Sequence, residues 1–133
     1  LDRASLNEYS SRAANAAFCV ANFVPDSFFD MHSNLMINQP AEGQEGLDDN
    51  ELYKVAQQSG AGTDEVKGCI QNKSFADYIE QHTQNVLNTP QQGVTVTGTP
   101  TVLVNGNKFT WATGDELVSP EFFAQFVQTA SAE

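Results

Sequence analysis

The chain is short of positive charge and of long apolar runs, and each shortage excludes a class of partner. Six Lys and Arg stand against seventeen Asp and Glu among 133 residues, a net charge of -11. A surface this acidic repels phosphate backbones and anionic lipids, so we expect no nucleic-acid partner and no membrane contact by this chain. The longest fully apolar run, residues 16–21, is far below the roughly 20 residues of a membrane-spanning helix.

Cysteine and histidine are equally scarce. There are two of each, Cys19, Cys69, His32 and His82, with no Cys-x-x-Cys and no local cluster. A structural zinc site needs about four ligands with closely spaced pairs, so we expect no metal and no cofactor. Two lone cysteines are typical either of unpaired core residues in a cytosolic protein or of one disulfide in an exported one. The pattern itself leaves both open.

The first ninety residues predict a helical block. Ser5 and Glu8 have the spacing of a capping box at the start of the first helix, Asp26 is a suitable N-cap for the second, and the third starts near Asp48. Apolar residues then recur at helical spacing. The predicted inner faces include Met31, Leu35, Met36, Leu52, Val55, Val66, Ile70, Phe75, Tyr78, Ile79 and His82.

The last forty residues have a different character. Residues 94–97 alternate apolar and polar side chains, and residues 101–104 and 108–111 are rich in β-formers on either side of Asn105-Gly106. Asn-Gly is the strongest signal for a two-residue hairpin turn. Ser119 and Pro120 are an N-cap and first-turn pair. They open a final helix that carries Phe122, Phe123, Phe126, Val127 and Ala130.

Pro100 stands directly before the first of these predicted strands, in the string Gly98-Thr99-Pro100-Thr101. Proline cannot donate a ladder hydrogen bond, so its position at a strand start needs a reason. An ordinary trans proline at the start of the strand is one reading. A cis Thr99–Pro100 bond, which turns the chain sharply and exposes the backbone of Thr99, is the other.

This order of elements resembles the C-terminal part of a thioredoxin fold, and more narrowly the DsbA-like branch, an α/β fold with a helical domain inserted before a cis-proline loop. Residues 5–90 resemble the inserted domain, and residues 97–132 the closing strand, hairpin and helix. The resemblance implies a helical domain at residues 1–93 and a thioredoxin part at residues 94–133. Residues 94–97 make the approach to Pro100 longer than is usual in the family.

The resemblance also implies roles for particular residues. Cys19 and Cys69 are similar to an extra cysteine pair in the helical domain of many bacterial members, which implies a structural disulfide. Residues 28–32 are similar to the aromatic-rich second helix of the family. Thr99 and Pro100 match the loop that contacts substrate peptides. The catalytic Cys-x-x-Cys matches no residue here, because in the family it precedes the position of Leu1. We therefore expect no catalytic residue in this chain and no useful thiol exchange by it alone.

The function implied is thiol–disulfide oxidoreductase of exported, cysteine-containing proteins. We expect an extracytoplasmic location, a chain that is a piece of something longer, and an anchor that can lie upstream of Leu1. The rival is a redox-inactive module that keeps the peptide groove beside Pro100. A third alternative, a cytosolic glutathione-dependent isomerase, requires free thiols at Cys19 and Cys69.

The resemblance also implies a self-association. The predicted hairpin would lack the strand that the fold supplies before the Cys-x-x-Cys helix, which leaves unpaired backbone groups along one edge. Either the helices move over the exposed face, or two copies pair through that edge. A two-fold homodimer is the more economical, because one patch satisfies both copies.

Overall fold

The computed structural model describes Asp2 and residues 5–132. Leu1, Arg3, Ala4 and Glu133 lie outside the described residues. Seven α-helices, one 3-10 turn and two short strands follow one another within the described part. They are α1 (Tyr9–Phe23), the 3-10 turn (Pro25–Ser27), α2 (Phe28–Ile37), α3 (Asp49–Gln58), α4 (Asp64–Gln71), α5 (Ala76–Asn88), β1 (Leu103–Val104), β2 (Asn107–Lys108), α6 (Gly114–Val118) and α7 (Pro120–Ser131).

The chain divides into two compact units, residues 1–83 and residues 84–133. We call them the helical unit and the hairpin unit. This division falls within α5. The predicted domain boundary, between residues 93 and 94, lies after the end of α5, and it stays a prediction. No helix within the described residues is long and apolar enough to cross a membrane.

The helical unit has one continuous core. α1 packs against α2, α3 and α4, and α3 packs against both α2 and α4. The side chains with no exposed surface include Val20, Met31, Leu52 and Val66. Burial of such side chains contributes about 1.5–3 kcal/mol each to folding. The predicted inner faces of α3 and α4 are confirmed, because Leu52, Val55, Val66 and Ile70 are all buried.

The start of α1 differs from its prediction. The helix begins at Tyr9, and Glu8, the residue before it, has a positive φ of 55° and provides no side-chain cap. Asp2 performs the capping role instead: its carboxylate accepts hydrogen bonds from the Ser11 backbone N–H at 2.9 Å and from the Ser11 hydroxyl. The Ser5–Glu8 capping box was therefore wrong, since a carboxylate further back in the chain reaches the first turn.

The starts of α2 and α3 compare differently with their predictions: the cap predicted for α2 is wrong, and the helix start predicted for α3 is right. The chain first makes a 3-10 turn at Pro25–Ser27, and α2 begins only at Phe28. Asp26 lies within that turn and is therefore not the cap of α2. At α3 the prediction is confirmed and exceeded. Asp48 accepts from the Glu51 N–H at 2.8 Å, and Glu51 accepts from the Asp48 N–H at 2.8 Å. The capping-box spacing exists in this chain, but at α3 rather than α1.

Three predicted inner-face residues lie outside. Met36 is 52% exposed and Tyr78 is 53% exposed, and His82 is exposed as well. Tyr78 instead makes an edge contact with the Phe18 ring and stacks on the His82 ring, with centroids 5.4 and 5.8 Å apart. Within the described part of α5, Ile79 carries the burial. The apolar face of α5 was predicted too wide.

The hairpin unit is built on the predicted Asn105-Gly106 turn. Both residues have positive φ, 50° and 81°, which suits a two-residue hairpin loop. Val104 pairs with Asn107 and Leu103 with Lys108 in antiparallel register. The returning strand thus begins one residue earlier than predicted, and residues 94–97 form no strand. α7 begins at Pro120 with Ser119 as its cap, as expected. α6 was not predicted, although Thr113 and Glu116 have the spacing that caps it.

Candidate functional site: the proline loop

The segment that leads to Pro100 is exposed and holds a cis peptide bond between Thr99 and Pro100. The cis reading is therefore confirmed. Among the described residues, the backbone of Thr99 makes no hydrogen bond, whereas the Thr101 hydroxyl donates to the Gly98 carbonyl at 2.6 Å. Exposed backbone donors and acceptors that have no partner are groups to which an extended peptide can hydrogen-bond.

Both ends of this loop are fixed to the hairpin. At its N-terminal end, Gln91 and Val94 exchange two backbone hydrogen bonds of 2.8 Å across a tight turn. The Gln92 side-chain carbonyl in that turn accepts from the Gly106 N–H at 2.7 Å. At the C-terminal end, the Phe109 N–H donates to the Val102 carbonyl at 2.9 Å. The loop therefore spans two anchors on one hairpin, which limits where its free backbone groups can point.

The buried side chain of Phe109 packs the hairpin against several other aromatic rings. Its side chain is 3% exposed, and its ring lies within 5.1–5.7 Å of four other aromatic rings, measured between centroids. Those rings belong to Trp111, Phe122, Phe123 and Phe126. The contacts place α7 against the hairpin, so the final helix holds the strand that follows the proline loop.

The two cysteines lie in the other unit and form a disulfide. The S–S distance is 2.04 Å and the Cα atoms are 5.8 Å apart, well inside the limit for a bridge. Cys19 has no exposed surface and Cys69 is 6% exposed. The bond joins α1 to α4 and closes a loop across 50 positions. Because both sulfur atoms are bonded and buried, the pair fits a structural cystine and not a reactive dithiol.

A family model described as thioredoxin matches residues 3–128. The chain belongs to the thioredoxin family. No curated protein and no solved structure gave a significant match. The match confirms the predicted thioredoxin-like fold, here in a helix-rich chain with a small two-stranded sheet. Membership of this family suggests thiol–disulfide exchange as the activity.

Other candidate residues of this thioredoxin-family chain lie outside the proline loop. Asp48 and Glu51 cap α3 as described, and Asp49 pairs with Arg12 at 3.0 Å. His32 and His82 are exposed and lie beside aromatic rings. Within the described residues, no group of three His, Cys, Asp or Glu side chains is arranged to hold a metal ion.

Sequence reasoning missed two residues that shape the proline loop of this family member. Gln92 ties the loop to the hairpin, and a signal was present, because Gln92-Gly93 precedes a β-like stretch as Asn105-Gly106 does. Both Gln92 and Gly93 have positive φ, 48° and 81°. The central place of Phe109 had no such signal, since nothing in the sequence distinguishes it from the other phenylalanines nearby.

Proposed function

We propose that this chain is the peptide-receiving part of an extracytoplasmic, DsbA-like thiol–disulfide oxidoreductase that acts on exported, cysteine-containing proteins. The observation that carries the proposal is the exposed loop at Thr99–Pro100 in a thioredoxin-family chain, anchored at both ends and with free backbone at Thr99. In this role an extended substrate peptide pairs with Thr99 through main-chain hydrogen bonds. The loop binds the peptide, and a dithiol performs the exchange.

The dithiol cannot come from Cys19 and Cys69. They are the only cysteines in the 133 residues, and they are bonded to each other inside the helical unit. The proposal therefore requires a Cys-x-x-Cys in sequence that precedes Leu1. The structure also gives no support to a glutathione-dependent isomerase, which needs both thiols free.

Peptide binding is tested with two substitutions at one position. Thr99→Pro removes the backbone N–H, whereas Thr99→Ala keeps it. We expect Thr99→Pro to weaken binding of an extended, serine-substituted substrate peptide up to about tenfold, the value of one lost hydrogen bond, and Thr99→Ala to bind like the parent. NMR titration measures both affinities, and the amide signals of the hairpin report whether the fold is retained. Equal binding by all three proteins would contradict the proposal.

The enzymatic half is tested separately. Sequencing the gene upstream of the codon for Leu1 distinguishes the alternatives: a Cys-x-x-Cys supports the oxidoreductase, and its absence supports a redox-inactive peptide-binding module. We expect the 133 residues alone to reduce insulin no faster than buffer. Activity that disappears in Cys19→Ser would overturn the assignment of the disulfide as structural.

We also propose that two copies associate through the hairpin edge. β1 and β2 pair only with each other within the described residues, and isolated two-stranded sheets are marginal in water. Sedimentation at micromolar concentration tests this, with a concentration-independent monomer as the contradicting result.

A further inference from the structure

One face of α2 is apolar and exposed. Phe29 is 80% exposed, Met36 52% and Ile37 77%. In a helix with 3.6 residues per turn, these positions fall on one side together with Ser33. The opposite side carries Met31 and Leu35, which are buried against the core. We call the exposed side the α2 face.

Soluble proteins rarely expose several large apolar side chains next to one another. Where such a cluster occurs, it marks an interaction surface. α2 already uses its other side to pack on α1 and α3. Met31 and Leu35 make the buried contact of α2 with this core, and the α2 face takes no part in it.

The charged residues around the α2 face indicate what kind of partner it can bind. Residues 13–53 contain no Lys or Arg, although they carry seven Asp and Glu. Two of those carboxylates are exposed near the start of α2: Asp30 follows Phe29 in the first turn of the helix, and Asp26 lies in the 3-10 turn that precedes it. Among the described residues neither carboxylate has a hydrogen bond or an ion pair. The surface thus combines an apolar centre with unpaired negative charge at its margin.

We propose that the α2 face binds a cationic amphipathic polypeptide segment, with apolar side chains against Phe29, Met36 and Ile37 and Lys or Arg against Asp26 and Asp30. Charge complementarity selects this occupant. If a second copy bound through the same face, Asp26 and Asp30 of one copy would face and repel those of the other. The same carboxylates would repel anionic lipid.

The test uses a labelled peptide with leucines on one helical face and lysines on the other, added to the 133-residue protein and followed by fluorescence anisotropy. We expect Phe29→Ser and Ile37→Ser each to weaken binding roughly tenfold, as for central residues of an interface. Val118→Ser is the matched control, because Val118 is 75% exposed but lies on α6. It should leave the affinity unchanged. Circular dichroism confirms that each variant is folded.

A second pair of variants separates local from overall charge. Asp26→Asn with Asp30→Asn should weaken binding about two- to fivefold per residue. Asp77→Asn with Asp115→Asn makes the same change in net charge at exposed positions elsewhere and should have little effect. Equal losses in both pairs would overturn the proposal, as would equal binding of a leucine–glutamate peptide. Sedimentation that shows a dimer dissociated by Phe29→Ser would also overturn it, because the occupant would then be a second copy.

Discussion

The helical unit and the hairpin unit reach stability in different ways. In the helical unit, side chains from α1 to α4 form one buried core, and the Cys19–Cys69 disulfide joins two of its helices. In the hairpin unit, two strands of two residues each rest on α7 through the rings around Phe109. Four packed helices can close a core with their own residues, whereas a two-stranded hairpin depends on the few large side chains beneath it.

The two units carry different optical reporters. The single tryptophan, Trp111, belongs to the hairpin unit. The three tyrosines, Tyr9, Tyr53 and Tyr78, all belong to the helical unit. Tryptophan fluorescence and the tyrosine region of the near-ultraviolet spectrum can therefore follow the two units separately.

The largest effect is expected from Phe109→Ala. Removal of a buried phenylalanine costs about 3–5 kcal/mol, and in this unit four neighbouring rings lose their common contact. We expect Trp111 to become solvent-exposed and to lose its unfolding transition, while the tyrosine signal keeps its own. Phe29→Ala is the control, because that side chain is 80% exposed. Loss of both signals together in Phe109→Ala would show that the two units do not unfold independently.

The next effect concerns the disulfide. Cys19→Ala with Cys69→Ala opens a loop that spans 50 positions, and the chain-entropy relation gives a loss of about 4 kcal/mol. Urea unfolding followed by the tyrosine signal measures it. The Trp111 transition should shift much less, since the bond lies within the helical unit. An equal shift of both transitions would contradict this.

A smaller effect is expected at Gly46. A Cβ atom there would lie 2.1 Å from Cγ of Tyr9, a buried ring, so Gly46→Ala should cost about 1–3 kcal/mol or more through overpacking. Gly68→Ala is its counterpart inside α4, where a Cβ would meet nothing within 4 Å. That variant should stabilise the helical unit by about 0.5–1 kcal/mol, because alanine favours the helix. Thermal melts compare the two.

The smallest effect is the pH dependence of the α1 cap. Burial would raise the pKa of Asp2, but the hydrogen bonds from Ser11 and Ser5 outweigh it and lower the pKa below 3.8. A lowered pKa in the folded state stabilises above the unfolded value and is lost as the pH falls through the folded one. Since Asp2 is partly exposed, we expect under about 1 kcal/mol at neutral pH.

The measurement compares the parent with Asp2→Asn. The stability difference should be present at pH 7 and diminish as the pH falls below the ordinary range of aspartate. A gap between parent and Asp2→Asn that does not diminish on acidification would assign the effect to packing and not to charge.

Local signals predicted local structure well. The helix start near Asp48, the cap at Ser119 and the turn at Asn105-Gly106 all lie where the sequence placed them, because each depends on hydrogen bonds within a few residues. The Ser5–Glu8 box failed for the opposite reason. Asp2 reaches α1 from nine positions before Ser11, a contact that no spacing rule includes.

In the proline loop, too, contacts between residues distant in sequence could not be predicted. The sequence pointed to Thr99 and Pro100, and the resemblance to a family favoured the cis bond over the trans alternative. The anchors of the loop could not be predicted in that way. The bond from Gly106 to Gln92 joins residues 14 positions apart, and the burial of Phe109 follows from the packing of α7, which only the assembled hairpin unit defines.

The disulfide also has a mechanical consequence. A chain pulled from its two ends would transmit the load from Cys19 to Cys69 through the sulfur atoms, so the segment between them would bear no tension. With about 3.4 Å per extended residue, the 50 positions that the bond spans amount to roughly 170 Å of contour length that force alone cannot release. α2 and α3 would remain slack under a load that had already pulled the hairpin unit straight, until a reductant cut the link.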